Sequence, residues 1–397
     1  MVEESCFDDL DRSFLSLSSK MSDFFSWTYG MLGYRLVAPL DPNKFDNTTS
    51  KIGEIGIRTF IVLGTALSLC FAGTYIILTA VVLGVGSKMF RSIGFAFQKE
   101  GFTHVRGQAT EKVLENGQAS ILTWNIRGVG GGLHYEGGVV HWRSRINPIV
   151  EEILKESPDV IVLQEIYDTA LAETLIAKLG GRYAHFYIHS GANTWGNGDG
   201  CMVISKCAIH RFIHTDFTNN DNYRVNRGFD MLEIKAHPQD SAPCLRIIGT
   251  QLISGADVKN KRMNQITQIV DGLAKQTLPL PTLFVGSLHA HRDDEEEGSF
   301  LSGYLSHSYR DEDPTRSDRL AIQWNPDLQE QEESSDFISL FKRYTSDGKV
   351  LPVIEKNIRY LECRLVRGFD QEYNTKTALS DHHAVVTRMS GLKPIEA

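Results

Sequence analysis

Asp159-Val160-Ile161-Val162-Leu163-Gln164-Glu165 is the stretch that decides the fold. A short apolar run, rich in β-branched residues, ends abruptly in Gln164-Glu165. A run of this length predicts a strand buried on both faces. A carboxylate at its C-terminal end stands where α/β sheets place their ligands. Glu165 is therefore the first candidate for chemistry.

Outward from this stretch the chain alternates strands and helices from about residue 120 onward. Residues 121–124 predict a strand ending at Asn125. Residues 142–157 have helical spacing, with Ile146, Ile149, Val150, Ile153 and Leu154 on one face. A second helix is expected over 169–179 and a third over 260–273. Strands are expected at 183–189, 201–205, 229–235, 245–251, 282–285, 360–366 and 383–387. Residues 293–336 are acidic and irregular and read as surface loop. The glycine-rich stretch 128–138 lacks a Lys-Ser/Thr tail, so it is not a nucleotide P-loop.

The chain has 397 residues, room for one large domain and an appendage. Its formal net charge is -8 and its pI about 5.9, which disfavours a non-specific nucleic-acid binder and leaves room only for a local basic groove. Six dispersed cysteines without a C-x-x-C pair argue against a zinc knuckle, a redox motif or a disulfide framework. Residues 1–57 mix serines with apolar and aromatic residues and read as a loosely ordered segment. No charged residue occurs between Arg58 and Lys88, which predicts a transmembrane helix or hairpin over 58–88 and a membrane location. Residues 89–117 would then be a juxtamembrane linker, 118–391 the main domain and 392–397 a tail.

Several polar residues share one position, the end of an apolar strand. They are Asn125, Glu165, Gln251, Ser287 with His289, and Asp381-His382 before the last strand. If the strands lie side by side, these ends converge on one cleft. Oxygen donors from a carboxamide and two carboxylates suit Mg2+ or Mn2+. An adjacent histidine can supply a proton or stabilise a phosphoryl oxygen. Together they point to metal-assisted attack of water on a phosphate ester. His134, His141, His185, His189 and His214 have no such context and read as structural or surface residues.

Three segments resemble the motifs of the endonuclease/exonuclease/phosphatase superfamily: Leu122-Thr123-Trp124-Asn125-Ile126-Arg127-Gly128, Leu163-Gln164-Glu165, and Leu379-Ser380-Asp381-His382-His383-Ala384-Val385-Val386. Gly198-Asp199-Gly200-Cys201-Met202-Val203-Ile204-Ser205-Lys206 is similar to the family's glycine-led strand, and Arg262 and Gln265 fit its following helix. The resemblance covers about residues 118–391. It implies a four-layered α/β sandwich, two packed sheets flanked by helices, with the site at the strand ends. It also implies a divalent-metal phosphoesterase. Glu165 would be the main metal ligand, with Asn125 and Asp381 assisting. His382 would stabilise the transition state or protonate the leaving group, and Gln251 and Arg262 would contact substrate. Glu362 matches the family's acidic residue that orients the histidine. The uncharged span tilts the substrate toward a phospholipid or inositol phosphate over nucleic acid.

The departure lies at Gly286-Ser287-Leu288-His289, where the family pattern is Gly-Asp-x-Asn. The family's Asp activates the attacking water. A serine hydroxyl is no general base at neutral pH, whereas a histidine, with an unperturbed pKa of about 6.5, is one. Two readings stay open: an enzyme using His289 or His291 as base, or a catalytically impaired binding module.

Overall fold

The computed structural model describes residues 100–128, 142–191, 198–218, 225–255, 258–289, 295–307, 336–341, 359–366 and 382–394, with Ser380, short pieces between 316 and 352, and isolated positions before 100. In chain order the elements begin with β1 (Thr103–Arg106), β2 (Ala119–Asn125), α1 (Trp142–Glu156), β3 (Val160–Gln164), α2 (Thr169–Leu179), β4 (His185–Ile188) and β5 (Met202–Ser205). There follow β6 (Ile209–Asp216), β7 (Gly228–Ile234), β8 (Leu245–Gln251), α3 (Lys259–Ala274), β9 (Thr282–Ser287), α4 (Glu295–Tyr304) and β10 (Leu305–His307). The last are β11 (Arg316–Ser317), β12 (Glu332–Glu333), β13 (Asp336–Phe341), β14 (Arg343–Ser346), β15 (Lys349–Pro352), β16 (Arg359–Val366) and β17 (Ala384–Ser390).

Two mixed sheets result. The first has the order β1-β4-β5-β3-β2-β17-β16, the second β10-β13-β9-β8-β7-β6. Strands β2 and β3 are parallel, as are β8 and β9; every other pairing is antiparallel. Strand β3 shows why the sheets pack as they do. Successive side chains point to opposite faces. Val160 and Val162 join a core with Leu232, Ile247, Leu283 and Val285 of the second sheet. Ile161 and Leu163 join another with Ile146, Ile149, Ile153, Leu171 and Leu175 of α1 and α2. On the far side, Ile266, Ile269, Val270 and Leu273 of α3 cover Met231, Ile248 and Phe284 of the second sheet. The chain is thus an α/β sandwich of two packed mixed sheets with flanking helices. Burying each Leu, Ile or Val here contributes about 1.5–3 kcal/mol.

The starts of elements are pinned as firmly as their middles. Asp159, just before β3, accepts Ser120 N and Oγ at 2.9 and 3.0 Å and pairs with Lys112 Nζ at 2.6 Å. Asp168 caps α2 through Ala170 N at 2.9 Å and takes the Trp142 indole N–H at 2.9 Å, tying α1 to α2. Gly286, at φ 144, lets β9 approach β8: a Cβ there would lie 1.9 Å from the Thr250 carbonyl oxygen. Gly286→Ala is therefore expected to destabilise the protein by about 1–3 kcal/mol from backbone strain alone. A urea midpoint equal to wild type would contradict this.

The structure corrects several expectations. Leu154 lies off the buried face of α1 and is 38% exposed. The stretch 293–336 is not all loop: α4 buries Leu301, β10 buries Leu305, and Asp336 opens β13. In β6, Ile-His-Arg-Phe-Ile-His-Thr-Asp, polar and charged residues break the apolar alternation that marks a strand. Strand β1, inside the stretch read as a linker, pairs with β4 and extends the first sheet. The expected membrane location is overturned. A span needs about 20 apolar residues in one helix, and among the described residues no helix is long and apolar enough to cross a membrane. Most of 58–88, and nearly all of 1–57, lie outside the described residues.

Candidate active site

The parallel pairs bring strand ends together. Asn125 is level with Gln164 across β2 and β3, and Gln251 is level with Ser287 across β8 and β9. Glu165 leaves β3 with φ 62, a left-handed conformation uncommon outside glycine. That turn aims its carboxylate between the sheets. Asn125 Nδ2 donates to Glu165 Oε1 at 2.8 Å, and Gln251 Nε2 donates to the same oxygen at 3.0 Å. One carboxylate oxygen thus links β2 of the first sheet to β8 of the second. Tyr167 donates its hydroxyl to Gln251 Oε1 at 3.4 Å. Burial pushes that phenol well above its ordinary range, with Arg227 acting in the opposite sense, so it stays a neutral donor.

Buried Arg145 of α1 was not singled out from the sequence, yet it shapes this edge. Its guanidinium donates to the carbonyls of Ile126 and Arg127, both at 2.8 Å. That holds the turn after β2, where Arg127 N donates to Asn125 Oδ1 at 3.0 Å.

The other side of the site comes from β9, β13 and the turn before β17. Asp336 is level with Ser287 across the antiparallel pair. Ser287 Oγ donates to Asp336 Oδ1, and His382 Nδ1 donates to Asp336 Oδ2 at 2.6 Å. All three side chains are buried. Burial alone would raise the Asp336 pKa. His382 as charge and donor, the Ser287 hydroxyl and the nearby His289 outweigh it and hold the carboxyl below its ordinary value. The turn carrying His382 is fixed on β2: Trp124 Nε1 donates to the His382 carbonyl at 2.9 Å and Ser380 Oγ to the Asn125 carbonyl at 2.6 Å. His289, at φ 49, meets the His382 ring edge-on with centroids 6.2 Å apart.

A depressed buried carboxylate has a signed consequence. Asp336 adds stability that is present above its unfolded pKa of about 3.9. That contribution is lost as pH falls through the lower folded value. Urea midpoints of wild type minus Asp336→Asn should therefore shrink from pH 6 toward pH 3. A difference that grows on acidification would contradict the assignment.

The acid beside His382 is thus Asp336, in place of Glu362. Glu362 lies on the edge strand β16, bonded to Arg364 at 2.9 Å and 3.5 Å from Arg388. Arg262 is fully buried and donates to the carbonyls of Ile253 and Gly255 at 3.0 and 2.8 Å, holding the loop after β8. Gln265 Oε1 accepts Ile253 N in the same loop. Asp381, His134, His141 and His291 lie outside the described residues. The hard oxygen of Glu165, with a carboxamide beside it, fits a Mg2+ or Mn2+ ligand set. Among the described residues, the three-membered His/Cys/Asp/Glu cluster within metal reach lies elsewhere, at Asp199, His214 and Asp230.

Comparison with known proteins agrees with the fold. Residues 122–262 match the family model described as Endonuclease/Exonuclease/phosphatase family. No curated protein sequence matches the chain. Among solved structures, SmcL aligns with a TM-score of 0.52 at 20% identity, over 68% of this chain and 99% of that one. A Staphylococcus aureus beta toxin mutant with bound magnesium ions aligns at 0.50 and 17%, over the same shares. D. rerio TDP2 complexed with single-strand DNA product aligns at 0.51 and 14%, over 69% and 99%. At these identities the three structures share the fold. Residues 122–262 are thus similar in sequence to an endonuclease/exonuclease/phosphatase family domain.

Proposed function

We propose that the cleft at the strand ends hydrolyses a phosphate mono- or diester by attack of water on phosphorus. The observation that carries this reading is the buried Asp336–His382 pair on the edge that also presents Glu165. Asp336 fixes the proton on Nδ1 of His382. Nε2 is then the nitrogen that exchanges a proton with the leaving oxygen or bonds a phosphoryl oxygen. Glu165, flanked by Asn125, would hold Mg2+ or Mn2+, with Asp381 assigned to the same set on its motif. When bound, the ion would neutralise phosphoryl oxygens and acidify water. Asn125 and Gln251 keep Glu165 turned toward the cleft. Ser287 gives its proton to Asp336, so it cannot take one from water; His289 is the assigned base.

The magnesium ions of the beta toxin structure and the DNA product of TDP2 support a divalent-metal phosphate-ester reading. The net charge of -8 favours a small ester over a long nucleic acid. A second reading, a binding module that has lost turnover, is favoured by one observation: a hydroxyl committed to Asp336 where the family places its base. Assay of the intact chain with Mg2+ or Mn2+ on inositol-phosphate, lipid, nucleotide and single-strand DNA esters separates the two. The enzyme reading expects turnover of at least one ester. If folded wild type turns over none, and Ser287→Asp with His289→Asn creates activity, the binding-module reading holds.

A further inference from the structure

We propose that Asp199, His214 and Asp230 form a second, buried binding site for a divalent transition-metal ion such as Zn2+. No motif announces it, because the three residues come from separate segments. Asp199 precedes β5 of the first sheet, whereas His214 and Asp230 lie on β6 and β7 of the second. One donor atom from each lies within 4.8 Å of the others. His214 Nδ1 is 2.8 Å from Asp230 Oδ1 and 3.8 Å from Asp199 Oδ2.

Two observations point to a ligand beyond the cluster itself. First, Asp199 Oδ2 and Asp230 Oδ2 are buried with no hydrogen-bond partner among the described residues, in side chains 2% and 0% exposed. Buried carboxylate oxygens without a donor are costly, and a cation held by these two carboxylates would offset that cost. Second, the imidazole is held as a ligand ring would be. Its Nε2 bonds Asp216 Oδ1 at 3.0 Å, and Asn226 Nδ2 donates to the same oxygen at 2.7 Å. A carboxylate behind a histidine is the outer-shell arrangement that orients metal-binding imidazoles. Glycines box the ring in: a Cβ at Gly191 would lie 2.5 Å from Nε2, and one at Gly228 2.5 Å from Cε1. Asp199 Oδ1 is separately fixed by Cys201 N at 2.7 Å, which leaves Oδ2 for the site.

One imidazole nitrogen with two carboxylates suits Zn2+ and its neighbours better than Ca2+ or Mg2+, which take oxygen-only sets. Binding replaces the proton that Nδ1 otherwise shares with Asp230, so a proton is released. The ion would staple the segment entering β5 to the edge of the second sheet. That segment also abuts the cleft: a Cβ at Gly200 would lie 2.5 Å from the Tyr167 ring.

The test is calorimetric titration of chelator-stripped, full-length Glu165→Ala with Zn2+, a background in which the proposed cleft ligand is gone. One equivalent should bind with a Kd of about 1 μM or below and raise the Tm. Adding Asp199→Asn, which can keep the Cys201 contact, should weaken binding by at least about 100-fold. No Zn2+ binding, or binding unchanged by Asp199→Asn, would overturn the proposal. Zn-edge X-ray absorption covers a variant that fails to fold. A nitrogen/oxygen shell with one imidazole is expected in the loaded protein; sulfur donors would overturn it.

Discussion

On the proposed function, His382→Asn is expected to lower the rate of phosphate-ester hydrolysis by about 10²–10⁴, the usual contribution of a positioned proton donor. Asparagine is the informative replacement. Its amide can still donate to Asp336 from near the Nδ1 position, so the buried carboxylate keeps a partner. What is lost is the titrating ring. The reduction is expected in kcat, with KM little changed, because the role proposed for the ring is on the leaving oxygen and phosphoryl charge in the transition state. Stopped assays across pH 5–9 check this. Turnover within about threefold of wild type would remove His382 from the chemistry.

The largest stability effect is expected far from the cleft. Glu233 on β7 and Arg246 on β8 are each 1% exposed, and Arg246 donates Nε and Nη2 to Glu233 Oε1 at 2.9 and 2.7 Å. Arg211 adds a third contact at 3.1 Å. Glu233→Ala leaves the Arg246 guanidinium buried beside the Leu278 carbonyl with its counter-charge gone. Breaking a buried pair in this way costs about 3–5 kcal/mol. Replacing both residues by apolar ones of similar volume should cost far less, because no charge is then stranded. Urea unfolding of the single and double variants measures the difference. A Glu233→Ala midpoint within error of wild type would contradict it.

The strand ends were legible because apolar runs stop abruptly at polar residues. Asn125, Gln251 and Ser287 close strands in the structure, Glu165 directly follows one, and α2 spans the residues its spacing predicts. Asp336 was hidden for a local reason. It opens Asp-Phe-Ile-Ser-Leu-Phe two serines after the acidic stretch 330–333, where one more carboxylate carries little contrast. The apolar run 337–341 was the available signal for a strand there. Glu362 matches the family pattern only by lying in a late strand. Only the pairing of β13 with β9 shows that Asp336 is the carboxylate level with Ser287. Arg145 was unreadable for another reason: its role depends on a helix crossing behind β2, which no local pattern encodes. The Asp199–His214–Asp230 cluster likewise exists only once the two sheets pack.

The most direct test of the central claim is Mg2+-dependent hydrolysis of a panel of phosphate esters by the intact chain, run beside Glu165→Ala. Hydrolysis by wild type that Glu165→Ala lowers by about 100-fold or more is the predicted result. Equal turnover in the two proteins, or no turnover by folded wild type on any ester, would contradict it.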